Sequence, residues 1–259
     1  MSPRTPGTAV VTGSSSGFGF RTALLLAEEG YTVAAVARRE ERLEELAAAA
    51  PAGRIVPVVA DVRDRDALET AFGKVLDELP DVTAVVNNAG LSRGFGPVQG
   101  ADPEHWREMV DTNVTGLLNV TGLLLPGLVG RGTGHVVNVG SVAARYPYSG
   151  GNVYAATKAF VHQLSLSMRT DLEGTGVRVT CVAPGMARTE FALVRYDGDG
   201  DQADRLYDGL APLTADDVAR TVLWCLARPP HVNVNLVEIM PTDQPFGLGL
   251  GRPRSAGRA

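Results

Sequence analysis

A phenol and an ammonium stand four residues apart in Tyr154-Ala-Ala-Thr-Lys158, a spacing that sets both on one face of a helix. A free tyrosine with a pKa near 10 exchanges protons poorly at neutral pH, and a fixed cation nearby favours its phenolate. Such a pair alone is weak, because chance surface pairs are common. Its weight comes from Ser141, thirteen residues earlier at the end of an apolar run, and from Asn113 at the start of a long helical pattern. Either of these two, alone, would read as a strand-end turn residue or a helix cap. With the glycine-rich turn near the N-terminus, the four residues specify a reaction in which a tuned tyrosine gives or takes a proton.

That turn is Thr12-Gly-Ser-Ser-Ser-Gly-Phe-Gly19, directly after an apolar run and before a helical pattern. Its glycines follow G-x-x-x-G-x-G rather than the commoner G-x-G-x-x-G. Glycine lets backbone turn tightly and approach a pyrophosphate, while free N–H groups at a helix start donate to its oxygens. Gly13, Ser15, Ser16, Gly17, Phe18 and Gly19 are therefore candidate nucleotide contacts. A ribose 2'-hydroxyl is ordinarily read by an acid near the end of the second strand. Tyr31 to Ala37 contain none, and Arg38 and Arg39 follow, cations suited to a 2'-phosphate. The plainer reading is that these arginines begin a charged helix. The spacing and charge favour NADP(H) over NAD.

The elements that must position these groups alternate along the chain. Strands are expected at Thr8–Val11, Thr32–Ala37, Arg54–Val59, Val82–Asn87, Gly134–Val139, Val177–Val182 and Asn235–Met240. Helices are expected at about 17–29, 40–50, 64–78, 103–130, 152–173 and 214–227. Short, continuously apolar strands separated by helices predict a doubly wound α/β domain around a parallel sheet. No linker divides the 259 residues, so one catalytic domain spanning 1–259 is expected, with a mobile substrate-covering insertion at 187–213 and a flexible tail at 251–259. The acids of Asp197-Gly-Asp-Gly-Asp201 lack the glutamate that closes a calcium loop, and no metal is expected.

With 44% hydrophobic residues, 20% charged residues and a net charge of -5, the chain is neither disordered nor fibrous, and nucleic acid is not its main partner. Cys181 and Cys225 lie in apolar patterns and read as core thiols rather than a disulfide or zinc site. No signal-like segment and no stretch of about 20 apolar residues is evident, which predicts a cytoplasmic protein.

Over nearly its whole length the sequence resembles the short-chain dehydrogenase/reductase superfamily. The matching elements are Thr12-Gly13...Gly17-Phe18-Gly19, Asp61-Val62, Asn87-Asn88-Ala89-Gly90, Asn113, Ser141, Tyr154-x-x-x-Lys158 and Pro184-Gly185 with Thr189. The resemblance implies a Rossmann-like seven-stranded parallel sheet and a homotetramer. It implies that Tyr154 is the general acid in carbonyl reduction and the general base in alcohol oxidation, and that Ser141 holds the substrate oxygen. Lys158 would depress the Tyr154 pKa and hold the nicotinamide ribose, and Asn113 would position a water leading to solvent. Asp61 would meet the adenine amine, with Val62 beside it. Asn88, Ala89 and Gly90 would line the adenosine ribose, and Pro184, Gly185 and Thr189 would close over the nicotinamide.

Longer stretches are similar to bacterial NADP-dependent 3-hydroxy acid (serine/allo-threonine) dehydrogenases: Pro147 to Val161, Arg169-Thr-Asp-Leu172, Thr189-Glu-Phe191, Val194-Arg-Tyr196 and His231 to Asn235. A carboxylate substrate needs a cation, and Arg145 and Arg195 are the candidates. Two departures border the substrate: Arg145-Tyr146 replaces a small residue and Trp, and the Pro184–Thr189 loop is short. The leading expectation is an oxidoreductase interconverting a secondary alcohol and a ketone on a small 3-hydroxy acid. The alternatives are a carbonyl reductase acting on a neutral or secondary-metabolite ketone, and a non-catalytic NADP-sensing protein.

Overall fold

The computed structural model describes residues 6–79 and 81–244; the tail at 251–259, expected to be flexible, lies outside the described residues. Its frame is one sheet of seven parallel strands: β1 Thr8–Thr12, β2 Thr32–Ala37, β3 Ile55–Val59, β4 Val82–Asn87, β5 Gly134–Val139, β6 Val177–Pro184 and β7 Leu236–Ile239. Their order is β3-β2-β1-β4-β5-β6-β7. The helices are α1 Gly17–Glu28, α2 Glu40–Ala49, α3 Arg65–Leu76, α4 Pro103–Val110, α5 Leu117–Arg131, α6 Asn152–Asp171, α7 Glu190–Arg195, α8 Gly200–Arg205 and α9 Ala215–Leu226. This is the doubly wound architecture that the alternating apolar runs predict.

Successive strand residues feed opposite layers, as the pleat requires. On one face Ala9, Val11, Val33, Ala35 and Val86 pack with Leu24 and Leu26 of α1, Leu43 of α2 and Val218 and Val222 of α9. On the other, Val10, Ala34, Val36 and Val85 pack with Leu68 and Phe72 of α3, Val120, Leu124 and Leu128 of α5, and Met168 of α6. Both faces are covered, so the strands must be apolar on both sides. Cys181 and Cys225 are buried and free, in keeping with core thiols.

The helix expected at 103–130 is broken. Between α4 and α5 the chain widens into a π-turn over Asp111–Gly116, the kind of local bulge that recurs at functional sites. Asn113 lies in this turn and is buried, so it neither starts nor caps the helix. The run Pro103–Arg131 also has the length and composition of a membrane span, contrary to the expectation that no stretch does. One side of it packs in the core, with Leu117, Val120, Leu124 and Leu128 buried, while Leu118 and Val129 are exposed. In the 187–213 insertion, α7 and α8 give regular structure to a segment that the sequence suggests is mobile. Its acids are engaged: Asp197 pairs with Arg93 at 2.8 Å, and Asp199 caps α8 by accepting from Gln202 N–H at 3.0 Å.

Candidate active site

The sheet's winding reverses between β1 and β4, and in such sheets ligands bind beyond the carboxyl ends of the strands at that point. A cavity of about 920 Å³ opens there. Every residue given a catalytic, cofactor-binding or substrate-binding role above lines it except Gly19, Asn113 and Arg145.

At the end of β1 the chain turns through Gly13 at φ +69° and Gly17 at φ +53°, backbone that L side chains rarely adopt. A Cβ on Gly19 would come within 2.3 Å of the Gly13 carbonyl oxygen and 2.5 Å of Asn88 Nδ2, so Gly19 serves by packing beneath the turn. Asn88 Nδ2 donates to the Thr12 carbonyl at 2.8 Å, and Thr12 Oγ1 accepts from Asn88 N–H and Ala89 N–H, each at 3.0 Å. The turn is thereby locked to the end of β4. Ser16 is the N-cap of α1 but makes no capping bond through its side chain, which leaves the helix start without that partner.

Beyond β2, Arg39 donates from Nη2 to Ser15 Oγ at 3.0 Å, so it reaches the glycine-rich turn although it also precedes α2. Arg38 lies 3.8 Å from Asp61. Burial works against ionised Asp61, but the hydrogen bonds from Arg63 and the charges of Arg63 and Arg38 outweigh it and hold the carboxyl below its ordinary pKa.

The candidate acid–base group sits where α6 passes the end of β5. Tyr154 and Lys158 are buried side by side, with Lys158 Nζ 5.9 Å from the phenol ring centroid. Lys158 Nζ donates to the Val139 carbonyl at 2.9 Å, and burial pulls its pKa down to about 8. Ser141 hydrogen-bonds Tyr154 and accepts from Ala143 N–H at 3.1 Å. Burial, aided by Tyr148, pushes Tyr154 up to about 12, and the groups pulling against it are Arg195 and Ser141. Asn113 stands one layer behind. Its Oδ1 accepts from Leu91 N–H at 2.8 Å, and its Nδ2 donates to the Leu91 carbonyl at 2.9 Å and to Thr157 Oγ1 at 3.0 Å. Thr157 in turn donates to the Tyr154 carbonyl at 2.8 Å, so Asn113 ties the π-turn to the catalytic turn of α6.

Of the two arginines offered for a carboxylate, the structure brings one to the cavity. Arg145 is exposed and pairs with Glu238 at 3.2 Å, away from the lining. Arg195 is 8% exposed. It donates from Nε to Ser92 Oγ at 3.2 Å and from Nη2 to Tyr148 Oη at 2.9 Å, and it lies 5.4 Å from the Tyr154 ring centroid. Among the described residues no carboxylate pairs with it. Sequence reasoning missed Tyr148, Ser92 and Phe191 around this cation, and Gln244, whose Oε1 accepts from Met186 N–H at 2.6 Å. Tyr148 lay within reach, six residues before Tyr154, and so did Phe191, four residues before Arg195; Ser92 and Gln244 are distant in sequence and meet the site through the fold alone.

The cavity volume falls in the range of cofactor and ligand sites, and the positive-φ glycines and uncapped helix start fit a pyrophosphate. A parallel sheet with a nucleotide cradle and a buried Tyr and Lys beside a Ser defines a dinucleotide-dependent oxidoreductase of the Rossmann-like type. The chain belongs to the short chain dehydrogenase family, whose model matches residues 7–198. It is 49% identical over 241 residues to a serine 3-dehydrogenase of Agrobacterium fabrum, covering 93% of this chain and 96% of the relative. It is 44% identical over 245 residues to an NADP-dependent 3-hydroxy acid dehydrogenase of Salmonella typhi, covering 94% and 98%. Among solved structures, the closed form of a serine dehydrogenase complexed with NADP+ superposes with a TM-score of 0.91 at 43% identity, covering 95% of this chain and 99% of that one.

Proposed function

We propose that this chain is an NADP(H)-dependent oxidoreductase that interconverts a secondary alcohol and a ketone, with small 3-hydroxy acids as substrates. The observation that carries the substrate class is Arg195, a buried cation with no acidic partner among the described residues, beside Tyr154. Burying a charge without a counter-ion is costly, and a substrate carboxylate would supply the missing anion. The names of the two relatives, a serine dehydrogenase and a 3-hydroxy acid dehydrogenase, support the same class.

Gly13, Ser15, Ser16, Gly17 and Phe18 would hold the pyrophosphate region, Arg38 and Arg39 the 2'-phosphate, Asp61 and Val62 the adenine. Asn88, Ala89 and Gly90 would hold the adenosine ribose, Lys158 the nicotinamide ribose, and Pro184, Gly185 and Thr189 the nicotinamide. The bound cofactor supplies or accepts the hydride. The chain's own residues handle the proton. Ser141 Oγ orients the substrate oxygen, and Tyr154 gives its proton in reduction and takes one in oxidation. With its pKa pushed up to about 12, the phenol is protonated at neutral pH; Arg195 and Ser141 stabilise the anion that donation leaves in reduction and that acts as the base in oxidation. Asn113 fixes the Thr157-Tyr154 turn and would position the relay water. The 187–213 segment covers the substrate.

Exposed Leu118 and Val129 on α5 and Phe160 and Leu166 on α6 support a homotetramer through the long helices, and the protein is assigned to the cytoplasm. Phe95, 52% exposed and lining the cavity, favours the second reading, a bulkier neutral ketone. Kinetics on a 3-hydroxy acid and its methyl ester separate the two, since equal activity on both defeats the carboxylate assignment. The presence of both Tyr154 and Lys158 argues for turnover over sensing.

A further inference from the structure

The substrate-covering segment carries a carboxylate into the region of the cofactor's phosphate. Glu190, the first residue of α7, places Oε2 3.1 Å from Arg39 Nη2 and Oε1 3.5 Å from Arg42 Nη2. Both arginines also grip the glycine-rich turn. Arg39 donates from Nε to Ser15 Oγ at 3.2 Å, and Arg42 donates from Nε to the Ser15 carbonyl at 3.3 Å. Arg39, Ser15 and Glu190 all line the cavity. Arg42 has a second acidic partner in Glu45 at 2.6 Å, whereas Glu190 is the acid on Arg39. A carboxylate from the far side of the cleft thus sits on the guanidinium that the proposed function assigns to the 2'-phosphate.

We propose that Glu190 is a resident stand-in for the 2'-phosphate. It occupies the Arg39 and Arg42 donors in the cofactor-free protein, yields them when NADP(H) binds, and so limits the preference for NADP over NAD. The inference rests on the NADP reading above. A 2'-phosphate offers three acceptor oxygens and more than one negative charge, and the Arg39 fork can hold one such anion well. Keeping Glu190 in place would set a carboxylate against the phosphate. Giving it up breaks two half-exposed ion pairs, which are individually weak, so exchange is easy but not free. That cost falls on ligands with a 2'-phosphate. NAD(H) lacks it and leaves both pairs intact. A staple that merely held the segment in place would affect the two cofactors alike.

Glu190→Gln keeps the shape and removes the charge of a side chain 42% exposed. Binding of NADPH, NADH and 2',5'-ADP is followed by calorimetry on wild type and variant, with thermal unfolding as the check on folding and Glu190→Ala as a second variant. The expected result is that both variants bind NADPH and 2',5'-ADP about three- to tenfold tighter, with NADH affinity unchanged. The gain shrinks at high salt, where exposed charges are screened. Unchanged or weakened NADPH binding, or an equal gain for NADH, overturns the proposal. A wild-type protein that binds NADH as tightly as NADPH overturns the cofactor reading beneath it, and that result is read without any variant.

Discussion

At the residue scale the proposed proton carrier, Tyr154, stands beside Arg195, a cation with no acidic partner among the described residues. Burial pushes the Tyr154 pKa up to about 12, so the neutral phenol is the resting form, and the proposed proton donation depends on neighbouring groups that stabilise the phenolate left behind. Tyr154→Phe removes the proton and keeps the ring. Its kcat should fall by about 10²- to 10⁴-fold while NADPH affinity, read by fluorescence titration, stays at the wild-type level; retained turnover would remove Tyr154 from proton transfer. Arg195 differs, because its two side-chain hydrogen bonds go to the neutral hydroxyls of Ser92 and Tyr148 and no carboxylate among the described residues compensates its charge. Arg195→Gln should lower kcat/KM on a 3-hydroxy acid by roughly 10- to 100-fold, the worth of about 1.5–3 kcal/mol for a charged hydrogen bond. The methyl ester should be nearly unaffected, and a loss of the same size on both substrates would make Arg195 a packing residue.

At the scale of elements, the site is the set of strand ends brought to one edge of the sheet, and the tightest of them is the turn from β1 into α1. Gly19→Ala would drive a Cβ to 2.3 Å from the Gly13 carbonyl oxygen. The overpacking should cost about 1–3 kcal/mol, seen as a lower denaturation midpoint, and cofactor affinity should fall with it. Full cofactor affinity in that variant would mean that the turn tolerates displacement. This turn, the seven strands and the Tyr154-Lys158 pair were legible in the sequence because each is written locally, by a glycine pattern, a β-branched run or a helical spacing. The π-turn over Asp111–Gly116 was not, since no residue type demands it and a helical period continues through it. Neither was the division of labour between Arg145 and Arg195. Both look alike in sequence, and what separates them is Glu238 of β7, 93 residues beyond Arg145, which claims the first. The regular structure of α7 and α8 was hidden by the glycines and acids of 197–201, whose caps and ion pairs appear once Arg93 and Gln202 are brought beside them.

At the scale of the whole molecule, exposed Leu118, Val129, Phe160 and Leu166 put apolar side chains on the surface of the two long helices, which supports the proposed tetramer. Light scattering should therefore give four times the chain mass of 27.2 kDa, and a mass equal to that of one chain would refute the tetramer. Acid stability has a separate source, far from the cavity. His135 of β5 is 2% exposed, and its Nε2 lies 2.7 Å from Thr180 Oγ1 on β6. Burial, and then the Arg178 guanidinium, lower its pKa from 6.5 to about 3. Arg178 is itself fixed in place by the carbonyls of Cys225, Leu226 and Val232, so it cannot retreat when the imidazole charges. Between pH 6.5 and pH 3 the unfolded chain carries a proton on His135 that the folded chain refuses, so stability is present above 6.5 and is lost as pH falls through that window, by about 1.4 kcal/mol per unit from this group. Carboxylates add their own acid dependence, which a comparison with His135→Gln subtracts. Urea unfolding from pH 7 to pH 4 should show the wild type losing stability more steeply than His135→Gln, whose neutral amide has no proton to take up; parallel slopes would mean that His135 charges as readily in the folded sheet as outside it.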